Sequence, residues 1–196
     1  VFVFLHGAGY TGLSFAPVMK ELKNMLPNGN YFAIAPDLRC HGCTVTDNDY
    51  DLSNHTLVND IVYIIEELLG LNSDEACSHK QERTNLESAR RYKIIMIGHS
   101  LGGAIAIRIS SSEEYTLSRF IQGLVVIDIV EGKALTAIPQ MKEYIKSIPD
   151  EFDSVEDAII WAVQSRSILN PTSARMSVPS RLLEKTGDKQ EKKKNK

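Results

Sequence analysis

The chain opens on an unbroken apolar run, Val1-Phe2-Val3-Phe4-Leu5, and strand-like runs of similar length recur at residues 31–35, 93–98 and 121–128. A short, uniformly apolar run suits a parallel strand buried on both faces. Between these runs the period lengthens. Residues 13–26 place Phe15, Val18, Met19, Leu22 and Met25 on one helical face, and Pro27-Asn28-Gly29 ends that pattern. Residues 53–69 repeat Leu57, Val58, Ile61, Ile64, Ile65 and Leu68 at helical spacing, with Ser53 or Asn54 as a cap and Gly70 as a stop. A third helix opens on Gly103-Ala104-Ile105-Ala106-Ile107 and runs to about Ser111. Strand and helix therefore alternate as in an α/β fold with a mostly parallel sheet.

From Lys133 the alternation stops. Residues 137–148 (Ile138, Met141, Ile145) and 154–167 both read as amphipathic helices with no strand between them, and Ser154-Val155-Glu156-Asp157 resembles a capping box. Such a block, about 133–180, is expected to form a helical lid, with Trp161 and Met141 either in ordinary core packing or on a substrate pocket. Residues 72–91 are polar and aperiodic, as in a surface insertion, and residues 184–196 form a lysine-rich tail with no core signal, expected to be disordered. The globular unit is thus expected over residues 1–183. The chain has no initiator Met and begins inside an apolar run, so it reads as part of a larger α/β domain, lacking its first strands and its C-terminal strands.

Composition narrows the classes. With 196 residues and 43% hydrophobic content, one domain with ample core is expected. A net charge of −3 argues against a general nucleic-acid or membrane binder, and no apolar run approaches the roughly 18 residues of a span. Three cysteines, Cys40, Cys43 and Cys77, suit a reducing, cytoplasmic setting. Cys40 and Cys43, with Cys77 and His79, supply four metal ligands on paper, but no second tight pair exists and free thiols are the expectation. The sequon Asn54-His55-Thr56 has no role in such a compartment.

Chemistry concentrates at Gly98-His99-Ser100-Leu101-Gly102, between a strand-like run and a helix start. Gly-x-Ser-x-Gly in that setting is a nucleophile elbow, where the turn is too sharp for side chains two residues either side of the serine. Upstream, His6-Gly7-Ala8-Gly9-Tyr10-Thr11-Gly12 follows the first strand. Gly7-x-Gly9-x-x-Gly12, with Asp37 closing the next strand, also fits a dinucleotide fingerprint. The other reading is an oxyanion loop, and the serine elbow downstream favours it, because a dinucleotide fold needs no elbow. Asp128 ends the strand after the elbow helix, at the sheet rim near Ser100, and is the candidate triad acid.

In this fold the base should follow the acid. The five histidines are His6, His41, His55, His79 and His99, and none follows Asp128. His41, in a loop before glycine, reads as structural. His99 is expected to point away from the serine and pack, and His6 to anchor the oxyanion loop. The chain alone is accordingly expected to be inactive, since an unassisted serine hydroxyl is a weak nucleophile.

Taken together, Val3-Phe4-Leu5-His6-Gly7, Asp37-Leu38-Arg39-Cys40-His41-Gly42, the elbow with Gly103-Ala104-Ile105-Ala106, and Ile127-Asp128-Ile129-Val130-Glu131-Gly132 resemble the protein phosphatase methylesterase family of α/β-hydrolases. Asp157-Ala158-Ile159-Ile160-Trp161 and the stretch from Asn170 to Pro179, which holds Ser173-Ala174-Arg175-Met176-Ser177, resemble it too. The resemblance implies removal of the methyl ester from the C-terminal leucine of the protein phosphatase 2A catalytic subunit. It implies Ser100 as nucleophile, Asp128 as acid, the N–H groups of Ala8 and Leu101 as oxyanion donors, no cofactor or metal, and a cytoplasmic location with the nucleus as a further one.

Overall fold

A computed structural model describes residues 1–71, 92–129 and 133–185. Four parallel strands form one sheet: β1 (Phe2–Leu5), β2 (Ala33–Ile34), β3 (Ile94–His99) and β4 (Ile121–Ile127), in the order β2-β1-β3-β4. From β1 the chain steps one way to β2, and from β3 it steps the other way to β4. The boundary between β1 and β3 is therefore a topological switch point, and the loops leaving their carboxyl ends border its crevice.

β1 and the body of β3 are apolar because both of their faces are covered. Val3, Leu5, Ile94 and Met96 point to one side, where they meet α2 (Asn54–Leu69) and α3 (Leu101–Ser111) in the main core. Phe4 and Ile97 point to the other, against Phe15, Met19 and Leu22. β4 differs. Among the described residues it pairs only with β3, and Leu124, Val125, Val126 and Ile127 are all partly exposed.

The first helical segment is a 3₁₀ turn, Gly12–Phe15, followed by α1, Ala16–Met25. Pro17 fits this junction, since a first helical turn needs no N–H from it. The expected apolar face is narrower in the structure: Phe15, Met19 and Leu22 pack, while Val18 and Met25 are exposed. α2 is capped as expected, with Ser53 Oγ accepting from Thr56 N–H at 3.3 Å and Gly70 at φ 64° ending it. Leu68 is exposed, and the neighbouring buried position is taken by Glu66. Its carboxylate accepts the Leu117 N–H at 2.9 Å, and burial pushes its pKa up.

The helical block expected as a lid comprises α4 (Lys133–Ser147), α5 (Val155–Gln164) and α6 (Pro171–Ser177), closed by a 3₁₀ turn, Pro179–Arg181. Ser154 Oγ accepts from Asp157 N–H at 3.1 Å and caps α5, and Asn170 Oδ1 accepts from Thr172 N–H at 2.8 Å to cap α6. A small core of Ala158, Ala162, Ala174 and Val178 holds α5 to α6. Trp161 packs beside it with its ring 5.9 Å from Phe152, as in core packing. Met141 does not follow that expectation: it lies exposed on α4. α6 seats on α1 and on the Gly12–Phe15 turn, and Thr11 and Ser180 share a hydroxyl hydrogen bond of 2.6 Å. The insertion at 72–91 and tail residues 186–196 lie outside the described residues. Among the described residues no helix is long and apolar enough to cross a membrane.

Candidate active site

Ser100 stands at the junction of β3 and α3 with φ 49° and ψ −114°, a region that non-glycine residues rarely occupy. The backbone around it has no spare room. A Cβ on Gly98 would sit 2.4 Å from Gly102 O, and one on Gly102 would sit 2.2 Å from Leu5 O. Three hydrogen bonds hold the turn: Ser100 N–H to Ile127 O at 2.9 Å, Gly102 N–H to His6 O at 3.1 Å, and Ala104 N–H to Ser100 O at 3.0 Å. Such strain persists only where neighbours over-determine it. These bonds leave the Leu101 N–H, at the first position of α3, without an intrahelical acceptor and near the positive end of the helix dipole.

The loop after β1 faces this turn, since a Cβ on Gly7 would lie 3.3 Å from Ser100 Cβ. It folds as a turn closed by Tyr10 N–H to Gly7 O at 3.1 Å, with Ala8 and Gly9 at its centre. Gly9 has φ 75°, the conformation a type II turn demands at that place. The turn's own hydrogen bond does not use the Ala8 N–H.

Two histidines fix the loop from below. His6 is fully buried; its Nε2 accepts the Leu38 N–H at 2.9 Å, which makes Nδ1 the protonated nitrogen, 2.9 Å from Gly7 O. Burial lowers its pKa to about 4, so it is neutral at pH 7. His41 repeats the tautomer, with Nε2 accepting from Gly9 N–H at 3.0 Å and Nδ1 donating to Arg39 O at 2.8 Å. Both of its nitrogens are engaged, and His6 and His41 lie with their rings 5.0 Å apart. Each thus has the structural role the sequence assigned it.

Asp37 completes the brace. One carboxylate oxygen accepts the Gly12 N–H at 2.7 Å and the other the Cys43 N–H at 3.1 Å. A carboxylate spent on its own backbone in this way is not placed to hold a ribose, and the Gly12 N–H points into protein. The dinucleotide reading of Gly7-x-Gly9-x-x-Gly12 has no support in this geometry. The loop from Asp37 is itself pinned by Arg39, whose fork reaches Asp60 at 2.8 and 2.7 Å. Sequence reasoning did not single out that pair; an Arg in a loop opposite a helical acid 21 positions on carries no local signal.

Asp128 follows β4, and the register pairs His99 with Ile127, so Ser100 and Asp128 leave adjacent strands at the same level. Asp128 has φ 55°, and its side chain is 76% exposed. Its ionisable neighbour is His99, with Nε2 3.8 Å from Oδ2. His99 packs, as expected, with its ring against Gly7 and Tyr10, and it also faces Asp128, which was not expected. Ser100, Leu101, Ala8 and Asp128 are thus gathered at the carboxyl ends of three neighbouring strands. Cys40 and Cys43 are exposed free thiols, Cys77 and His79 lie outside the described residues, and among the described residues no cluster suits a metal.

A serine in a clamped strand–turn–helix, facing a loop of backbone donors, defines a hydrolase of the nucleophile-elbow class. The model of the alpha/beta hydrolase family matches residues 2–187, and the chain belongs to that family. It is similar to a probable protein phosphatase methylesterase 1 of Caenorhabditis elegans, 36% identical over 184 residues, covering 94% of this chain and 44% of that protein. A probable protein phosphatase methylesterase 1 of Dictyostelium discoideum is 37% identical over 183 residues, covering 91% of this chain and 54% of its own length. The chain spans about half the length of the curated relatives it matches. Among solved structures, E-2-(acetamidomethylene)succinate hydrolase superposes with a TM-score of 0.66 at 18% identity, covering 92% of this chain and 56% of that one, which shows the shared fold.

Proposed function

We propose that the natural protein containing this chain is a serine carboxylesterase that demethylates the C-terminal leucine methyl ester of the protein phosphatase 2A catalytic subunit, in the cytoplasm. The observation that carries the reading is the strained, glycine-clamped Ser100 turn in a chain whose relatives are named protein phosphatase methylesterase 1. Ser100 attacks the ester carbonyl, methanol leaves, and water then frees the carboxylate from the acyl-enzyme. The N–H groups of Leu101 and Ala8 receive the oxyanion, each such donor being worth about 3 kcal/mol in related chemistry. Asp128 orients the base. No histidine follows Asp128 in these residues, and the reading assigns the base to none of the five.

The test is methanol release from carboxymethylated phosphatase by the natural full-length protein, by its Ser100→Ala variant and by this 196-residue chain. Release by the full-length wild type alone is the expected result. Tight binding of the phosphatase without release by any of them overturns the esterase reading in favour of a non-catalytic binding module. Release of short acyl esters with no preference for the phosphatase replaces the substrate assignment with a general carboxylesterase.

A further inference from the structure

His99 touches both halves of the catalytic constellation without being one of its reacting groups. On one side, its ring fills the space that a Cβ on Gly7 would take, 2.7 Å from Nδ1 and 2.9 Å from Cε1. The backbone that leads into Ala8 is thus laid directly on the imidazole. On a second side, the ring of Tyr10, at the far end of the same turn, meets it edge-on at 5.8 Å. Tyr10 is covered in turn by the Arg181 guanidinium, 4.8 Å from its centroid, from the closing turn of the lid. On the third side Nε2 lies 3.8 Å from Asp128 Oδ2. The ring is only 30% exposed, whereas the carboxylate it faces is 76% exposed.

We propose that His99 is a positioning residue: its ring is a wedge that sets the oxyanion loop at a fixed height above Ser100 and places a ring nitrogen beside the otherwise solvated Asp128 carboxylate. The catalytic half of this statement rests on the esterase reading; the wedge half does not. Gly7 fits the same reasoning, because only a residue without a Cβ lets the loop lie flat on the imidazole. Geometry errors of this kind matter: a misplacement of about 1 Å costs on the order of 100-fold in rate. His99 is held from behind by the β3–β4 pairing, so its own position is set by the sheet and not by the loop it supports.

Two readouts test the proposal. In this chain, amide hydrogen exchange over residues 7–12 is compared among wild type, His99→Ala and His99→Phe. The wedge predicts at least roughly tenfold faster exchange in the Ala variant and protection restored by Phe, whose ring refills the space beside Gly7. Unchanged exchange in His99→Ala overturns the wedge. In the natural full-length protein, both variants should lower kcat about tenfold or more with KM nearly unchanged, Phe included, because it offers Asp128 no polar partner. An unchanged kcat in His99→Phe overturns the Asp128 half. Should the wild type release no methanol while exchange responds as stated, the esterase reading fails and the wedge stands.

Discussion

Ser100 and Asp128 leave neighbouring strands at the same level, yet they are held in opposite ways. Around Ser100 every neighbour is fixed: glycines with no space for a Cβ, three backbone hydrogen bonds, and a facing loop pinned by His6, His41 and Asp37. Around Asp128 there is open solvent on one side and a single imidazole on the other. The difference follows from where the strands sit. β3 is interior and receives packing from both faces, whereas β4 is paired on one side among the described residues. Parts of a site that are built from backbone need a crowded interior to hold a strained turn, while a carboxylate needs only a strand end and a partner.

That contrast can be broken most severely at Gly102. A Gly102→Val chain places carbon against Leu5 O and His6 O, at 2.2 and 2.6 Å for the Cβ alone, between backbones that cannot yield. The expected cost is about 3 kcal/mol or more, read from urea unfolding; a variant that unfolds like wild type would mean the turn relaxes freely. The next largest effect is that of pH on the same side. His6 has a folded pKa near 4 against an unfolded value of 6.5. The unfolded chain therefore binds the extra proton between those values. Stability from this group is present above pH 6.5 and is lost as pH falls toward 4, by about 3 kcal/mol. Urea midpoints across that window check it, and a flat profile contradicts it. The smallest effect belongs to the acid side. Asp128→Asn should change stability by no more than about 0.5 kcal/mol, since an exposed pair contributes little. On the proposed esterase reading the same change should abolish methanol release by the full-length protein, so stability and turnover separate at this position.

Much of this was readable before any coordinates. The Ser53–Gly70 helix follows from its caps and period, and the elbow from two glycines around a serine, because both signals are local. The sequence also led to the histidine of the first loop as an anchor. It did not lead to His99 facing Asp128, to Glu66 receiving the Leu117 N–H, or to the Arg39–Asp60 fork, because each joins residues far apart in the chain or on different strands. Periodicity over-assigned burial at Val18, Met25 and Leu68 for a related reason: it says which face is apolar, not how wide a neighbour covers it. The serine elbow already favoured one of the two readings of Gly7–Gly12, and what Asp37 binds, a loop contact that sequence does not show, removed the other.

The hydrogen bond from Ser100 N–H to Ile127 O has a mechanical meaning. It ties the backbone of Ser100 to the residue directly before Asp128. A twist or slide of β4 against β3 has to stretch that bond, so the bond works as a stay between the two strand ends and resists any drift of one away from the other.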